Sequence, residues 1–212
     1  EFLNIFGITM GDRVVEDYIK NIYEIQLRED KVTTNELAAQ LSISAASVTG
    51  MIKKLARLNL VVYTPYRGVQ LTASGTKMAL GVLRQHRLIE LFLSQTLEIP
   101  LDQVHQEAEV LEHVISPRLE KRIDEFLGNP KFDPHGAPIP AKDGTIVHHN
   151  SVSLNALAPG QTATVAEVGD RDPELLRYLE SKEILPGCRL EVLAVEPFDG
   201  PIRIRTEQAE QL

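Results

Sequence analysis

The chain has 212 residues, 43% of them hydrophobic and 25% charged, enough apolar material for two or three small cores and too little charge bias for wholesale disorder. Its one cysteine, Cys188, excludes an intrachain disulfide and any cysteine-built zinc or iron–sulfur centre. No apolar run reaches the roughly 18–20 residues of a membrane span, and EFLNIFGITM lacks the basic start and long apolar run of a signal peptide, so a cytoplasmic protein with no membrane partner is expected. The residues before Met10 read either as an upstream start or as a cloning remnant.

Net charge is −8, which taken alone argues against nucleic acid. The distribution reverses that reading. Between Lys31 and Gly75 five basic residues (Lys31, Lys53, Lys54, Arg57 and Arg67) stand against one acid, Glu36, whereas Thr76 to Leu212 holds 14 basic and 22 acidic residues. Such asymmetry points to an anion-binding module on an acidic body.

Val14, Val15, Tyr18, Ile22 and Ile25 recur at helical spacing and predict a helix over about 13–29. Thr33 or Thr34 opens a short one over about 34–41, and Ser44 caps AASVTGMIKKLARLN, which runs to about Asn59. Val48, Ile52 and Leu55, with Leu58 or Ala56, form its buried stripe, leaving Ser47, Thr49, Lys53, Lys54 and Arg57 outward. LVVYTPYRGVQLT reads as a hairpin with a Pro-Tyr-Arg-Gly turn and Arg67 at its tip. Helix, tight turn, helix and hairpin predict a winged helix-turn-helix over 10–75.

Helices over 76–97, from Leu101 to Val114 and from Pro117 to Leu127 then predict a helical dimerisation domain, 76–127. GNPKFDPHGAPIPAKDG reads as a Pro/Gly-rich surface linker within 128–145. Short strands around one helix over 146–212 predict a small SH3-like β-barrel, giving a mainly α chain with small β parts, an α+β fold.

In His105-Gln-Glu-Ala-Glu109-Val-Leu-Glu112-His113, spacings of three and four place His105, Glu109 and either Glu112 or His113 along one helical face. Stacked carboxylates repel, and a divalent cation relieves the repulsion; a solvated acidic face is the alternative. His86 and Glu90 repeat the four-residue spacing on the preceding helix, and neither pattern is the HExxH of a zinc protease. Asp17, beside apolar Tyr18, reads either as an exposed acid or as a ligand.

VEDYIKNIYEI, SISAASVTGMIKKL, YRGVQLT, RQHRLIELFL, HQEAEVLEHVIS and PHGAPIP occur in an order that resembles the DtxR/MntR family of metal-dependent transcriptional repressors, including those with a C-terminal SH3-like (FeoA-type) domain. The resemblance implies a homodimer on double-stranded operator DNA and a primary metal site at Asp17, Glu109, Glu112 and His113. These oxygen and imidazole donors suit Mn(II), with Fe(II) as the alternative. Iron-sensing relatives carry methionine where Asp17 stands and cysteine where Glu109 stands. Manganese regulators with a paired-metal site have glutamate at the position of Lys20, so a close binuclear centre is not expected. His86, Glu90 and His105 match an ancillary site; Asp133 and His135 match a variant in which the linker supplies ligands, and Asp172 aligns with a ligand from the SH3-like domain. His148 and His149 read as surface residues and Cys188 as a small buried one.

By the same resemblance, Ser44, Ala46, Ser47, Thr49 and Gly50 lie where family members approach DNA, with Gly50 in the place of a glutamine. Small side chains cannot make bidentate base contacts, so weak direct readout with specificity partly from DNA shape is expected, with Lys53, Lys54 and Arg67 on phosphates. The expected function is a repressor, not an enzyme, whose metal-locked dimer controls manganese or iron uptake genes. A winged-helix regulator sensing a small organic ligand and a metal-dependent hydrolase are the competing readings; for the latter no nucleophile is evidently placed.

Overall fold

A computed structural model describes residues 13–29, 31–64, 67–198, 200–206 and, in backbone alone, 210–211. EFLNIFGITM and the hairpin-turn residues Pro65 and Tyr66 lie outside them. The chain divides into two units: one holds the residues up to His86 with Leu111–Ser116 and Pro140–Thr145, the other Arg87–Val110, Pro117–Ile139 and Ile146 onward.

The first unit begins with α1 (Arg13–Gln26), whose Val15, Tyr18, Ile19, Ile22 and Ile25 are all buried. A capping box starts α2 (Thr34–Gln40): Glu36 N donates to Thr33 Oγ1 at 3.1 Å, and Thr33 N donates to Glu36 Oε2 at 2.8 Å. Ser44 caps α3 (Ala45–Arg57), which buries Val48, Ile52 and Leu55. Strands β1 (Val61–Thr64) and β2 (Gly68–Leu71) pair antiparallel from Val61↔Leu71 to Thr64↔Gly68. Gly68 is demanded by the fold: its φ is +95°, and a Cβ there would come within 2.7 Å of Val32 O. Buried residues of α1, α2, α3 and the hairpin form one core, so Ile52→Ala would cost roughly 2–5 kcal/mol. Order and composition are those of a winged helix.

Of the remaining helices, α4 runs over Ala73–Leu97, α5 over Leu101–Leu111 and α6 over Pro117–Phe126. The helix expected to reach Val114 ends at Leu111, and Val114 N and Ile115 N close a turn on Leu111 O. Glu112 and His113 therefore sit in that turn rather than on a regular helical face. In the second unit Leu88, Leu91, Ile123 and Ile139 form a core with Phe92 and Leu127.

The segment expected to cross the surface as a linker is instead partly buried. Ile139 N donates to Lys131 O and Asp133 N to Ala137 O, folding 131–139 into a loop that buries Asp133, His135, Ala137 and Ile139. Backbone pairing inside the loop satisfies polar groups that a free linker would leave to water. At Gly136 (φ +90°) an added Cβ would lie 2.0 Å from Ala166 O.

The SH3-like part is an antiparallel sheet in the order β3 (Thr162–Thr164), β4 (Arg189–Val195), β5 (Ile202–Thr206), β6 (Glu210–Gln211), with α7 (Pro173–Ser181) between β3 and β4. Leu190, Val192 and Ile204 centre its core. Cys188, expected to be buried, is half-buried, its Sγ 3.6 Å from Arg189 O.

Candidate metal centre

Within the first unit, Asp17 of α1 meets Glu112 and His113 of the turn after α5, with one ligand atom of each within 4.8 Å of the others. His113 Nε2 lies 2.8 Å from Asp17 Oδ1 and 3.3 Å from Glu112 Oε1. The other ring nitrogen, Nδ1, is 2.6 Å from Glu16 Oε2. Donation from Nδ1 to that carboxylate leaves Nε2 as the free donor, the tautomer a metal requires. Among the described residues the buried Nε2 has no hydrogen-bond partner. An imidazole lone pair facing two carboxylate oxygens is repulsive until a proton or a cation lies among them.

Glu112 is 1% exposed, and its two oxygens face two basic groups. Oε1 is 2.6 Å from Lys20 Nζ, and Oε2 is 2.5 Å from His86 Nδ1. Lys20 thus places its ammonium beside the carboxylate, where a second cation would be repelled. His86, one of the residues expected at the ancillary site, faces Glu112 through its Nδ1. Glu109 belongs to the second unit, where its Oε1 is 3.6 Å from His105 Nε2.

The second unit brings together Glu90 of α4 with Asp133 and His135 of the 131–139 loop, all buried. His135 Nδ1 lies 3.9 Å from Glu90 Oε2. Asp133 Oδ1 accepts from His135 N and Ala137 N, each at 2.9 Å. His135 Nε2 faces Leu101 O at 3.3 Å. Asp133 Oδ2 and His135 Nδ1 remain buried without a hydrogen bond among the described residues. Burial foremost, then the nearby Glu90 charge, pushes the Asp133 carboxyl up to about 8, against the opposing pull of Arg87 and the Ala137 amide.

Glu90 belongs to a further group with His105 and Asp170, and its Oε1 is 3.1 Å from His105 Nδ1. Asp172 is not part of it: its Oδ1 accepts from Glu174 N and Leu175 N and caps α7. Sequence reading missed Asp170 and Glu16. For Asp170 a signal exists, because Asp172-Pro173 is a helix-start pair whose carboxylate is committed to the helix. His148 is exposed, whereas His149 is half-buried, stacked on Phe132 at 3.8 Å with its Nε2 2.9 Å from Gly136 O.

These clusters fit a divalent ion on the structure's own terms. Among the described residues His113 Nε2, Asp133 Oδ2 and His135 Nδ1 are buried without a hydrogen bond, and every donor in these clusters is a carboxylate oxygen or an imidazole nitrogen.

On α3, Ala46, Ser47, Gly50 and Lys53 are exposed, Thr49 and Lys54 half-buried, and Arg67 exposed at the hairpin. Ser44 Oγ accepts from Ser47 N at 3.2 Å and lies 2.9 Å from Ser47 Oγ, and Thr49 Oγ1 donates to Ala45 O at 2.8 Å.

Residues 12–69 match the family described as "Iron dependent repressor, N-terminal DNA binding domain", 72–141 "Iron dependent repressor, metal binding and dimerisation domain" and 152–212 "FeoA domain". The chain is 31% identical over 199 residues to the iron-dependent repressor IdeR of Mycobacterium leprae, covering 86% of each chain. It is 32% identical over 171 residues to the diphtheria toxin repressor of Corynebacterium diphtheriae, covering 80% of this chain and 72% of that one. Among solved structures, a manganese-dependent transcriptional repressor in complex with manganese superposes with a TM-score of 0.86 at 44% identity, over 92% of this chain and 90% of that one. The manganese regulator SloR gives 0.76 at 35% identity, over 93% and 91%. Fold and site together define a metal-dependent transcriptional repressor. The chain belongs to the iron-dependent repressor (DtxR) family.

Proposed function

We propose that this repressor responds to manganese(II), that its homodimer grips operator DNA when loaded, and that it controls manganese uptake genes. The observation that carries the reading is the donor set: Asp17, Glu112 and His113 in one cluster, Glu90, Asp133, His135, His105 and Asp170 in the others, with no sulfur among them. Hard oxygen and imidazole donors suit Mn(II) better than sulfur-seeking ions. The manganese named for two structural relatives supports the same choice.

Asp17, Glu112 and His113 are the proposed primary ligands; the sequence resemblance adds Glu109. Glu90, Asp133 and His135, with His105 and Asp170 sharing Glu90, are the proposed second site. When bound, the ion supplies the positive charge on which these carboxylates converge. Asp17 belongs to the helix that packs with α2 and α3, whereas Glu112 and His113 follow α5. Holding the three together restrains the reading head relative to that turn and favours one spacing of paired recognition helices. Lys53, Lys54 and Arg67 are proposed phosphate contacts, with Ser44, Ala46, Ser47, Thr49 and Gly50 nearest the duplex. The proposed domains are 10–75, 76–127 and 146–212, joined by 128–145.

The test is a DNA-binding titration with Mn(II) and Fe(II), anaerobic for the latter, on wild type, Asp17→Ala and Glu112→Ala. Metal-dependent binding that both substitutions abolish supports the reading; wild-type response in both overturns the primary site. Iron(II) is the second reading, favoured by the iron dependence named for the mycobacterial relative, and a stronger response to Fe(II) than to Mn(II) would select it.

A further inference from the structure

Gly50 lies inside α3, where glycine is the poorest helix former after proline. Its backbone does not call for glycine, since it is not among the residues with positive φ. Nor does the packing, because a Cβ built at Gly50 meets nothing within 4 Å. Gly75, inside α4, is the contrasting case: there a Cβ would stand 2.0 Å from Leu60 O, and the fold itself requires glycine. At Gly50 the folded chain carries a destabilising residue that alanine could replace without a clash.

The surroundings say what uses the space. Ala46, Gly50, Lys53 and Arg57 follow one another at spacings of four, three and four and are all exposed, so they form one outward stripe of α3. The stripe is bare at its N-terminal half and cationic at its C-terminal half. The hydroxyls beside the bare half are engaged locally, Thr49 with Ala45 O and Ser44 with Ser47. Among the described residues no atom comes within 4 Å of a Cβ built at Gly50, while Lys53 and Arg57 follow it within two turns on the C-terminal side.

Resting on the DNA-binding reading above, we infer that Gly50 is a close-approach residue: the main chain of α3 seats against duplex DNA there, at a distance that even a methyl group would prevent. The position selects by shape, through how deeply the helix sits in the groove, and makes no base-edge hydrogen bond. Lys53 and Arg57 hold the adjoining phosphates once the helix is seated.

The experiment compares full-length wild type, Gly50→Ala, Gly50→Gln and Gly81→Ala on a duplex enriched by the wild type from a randomised pool in Mn(II). Gly81, in α4, is equally open to an added Cβ and serves as the control. Both alanine variants are expected to melt about 2–4 °C above wild type. Gly50→Ala is expected to bind the duplex about tenfold more weakly, the size of one mismatched base pair, and Gly50→Gln more weakly still. Its Mn(II) affinity and the slope of log affinity against log salt should stay at wild-type values, because the block is steric. Wild-type DNA affinity in Gly50→Ala overturns the inference, as does a lower melting temperature or an equal loss of affinity in Gly81→Ala. If the wild type enriches no duplex at all, the DNA-binding reading fails and this inference with it.

Discussion

Glu16 Oε2 sits 2.6 Å from His113 Nδ1, and the opposite ring nitrogen faces Asp17 Oδ1 at 2.8 Å. One carboxylate therefore orients the imidazole while its sequence neighbour faces the donor atom. Loss of such an orienting partner typically weakens metal binding about 10–100-fold. Glu16→Ala is expected to fall in that range by calorimetric Mn(II) titration, and Glu16→Gln, which still accepts from Nδ1–H, to fall less. Equal affinity in wild type and Glu16→Ala would remove Glu16 from the site.

Lys20 and Glu112 form a buried ion pair, with side chains 4% and 0% exposed. Removing one member of a buried pair strands the other and costs about 3–5 kcal/mol in an otherwise unchanged setting. His86, still at Glu112 Oε2, softens that loss. Lys20→Met is expected to lower the stability of the metal-free protein by roughly 1–3 kcal/mol in urea unfolding. Added Mn(II) should then stabilise the variant more than the wild type, because no ammonium competes for the carboxylate. A variant with the wild type's metal-free stability and metal response would contradict this.

Asp133 gives a pH dependence of definite sign. Its folded carboxyl is raised from 3.8 to about 8, so between these values the folded state holds a proton that the unfolded state has lost. Stability contributed by this group is present below about pH 4 and is lost as pH rises toward 8. Asp133→Asn, which keeps an oxygen to accept from His135 N and Ala137 N, is expected to flatten that decline in the metal-free protein. Metal binding requires the ionised carboxylate, so Mn(II) affinity of the second cluster should rise over the same interval. Melting curves of both proteins from pH 5 to pH 8.5 check the first statement, and proton release on Mn(II) addition checks the second.

The winged helix was legible in sequence because its signals are local: the capping threonine and glutamate, the Ser44 cap and the apolar spacing of α1 and α3 lie within a few residues of one another. Part of the candidate clusters was legible for the same reason, as repeated His/Glu spacings, whereas Asp17, Asp133 and His135 came only through the family resemblance. What assembles them was not. Lys20 meets Glu112 across 92 positions, and Glu16 meets His113 across 97, and no periodicity encodes such pairs. The 131–139 loop misled because proline and glycine signal irregular backbone without saying whether it is buried; its internal amide bonds and the close approach at Gly136 decide that. Asp172 and Asp170 differ by one step of local chemistry, since the residue before Pro173 is claimed by the helix start.

The basic residues of the winged helix make the last prediction a matter of counterions. Lys53 and Arg67 are exposed and Lys54 half-buried, and a phosphate contact by each would release about one condensed cation from the duplex. Single replacement of Lys53, Lys54 or Arg67 by alanine removes one contact from each subunit of the proposed homodimer, and is expected to reduce the slope of log affinity against log salt by about 2 and to weaken binding evenly across sequences. Gly50→Ala, by contrast, should change affinity and leave that slope alone. Binding isotherms at four salt concentrations, with Mn(II) saturating throughout, separate charge from fit. A lysine whose loss leaves the slope unchanged is a solvated side chain and not a contact.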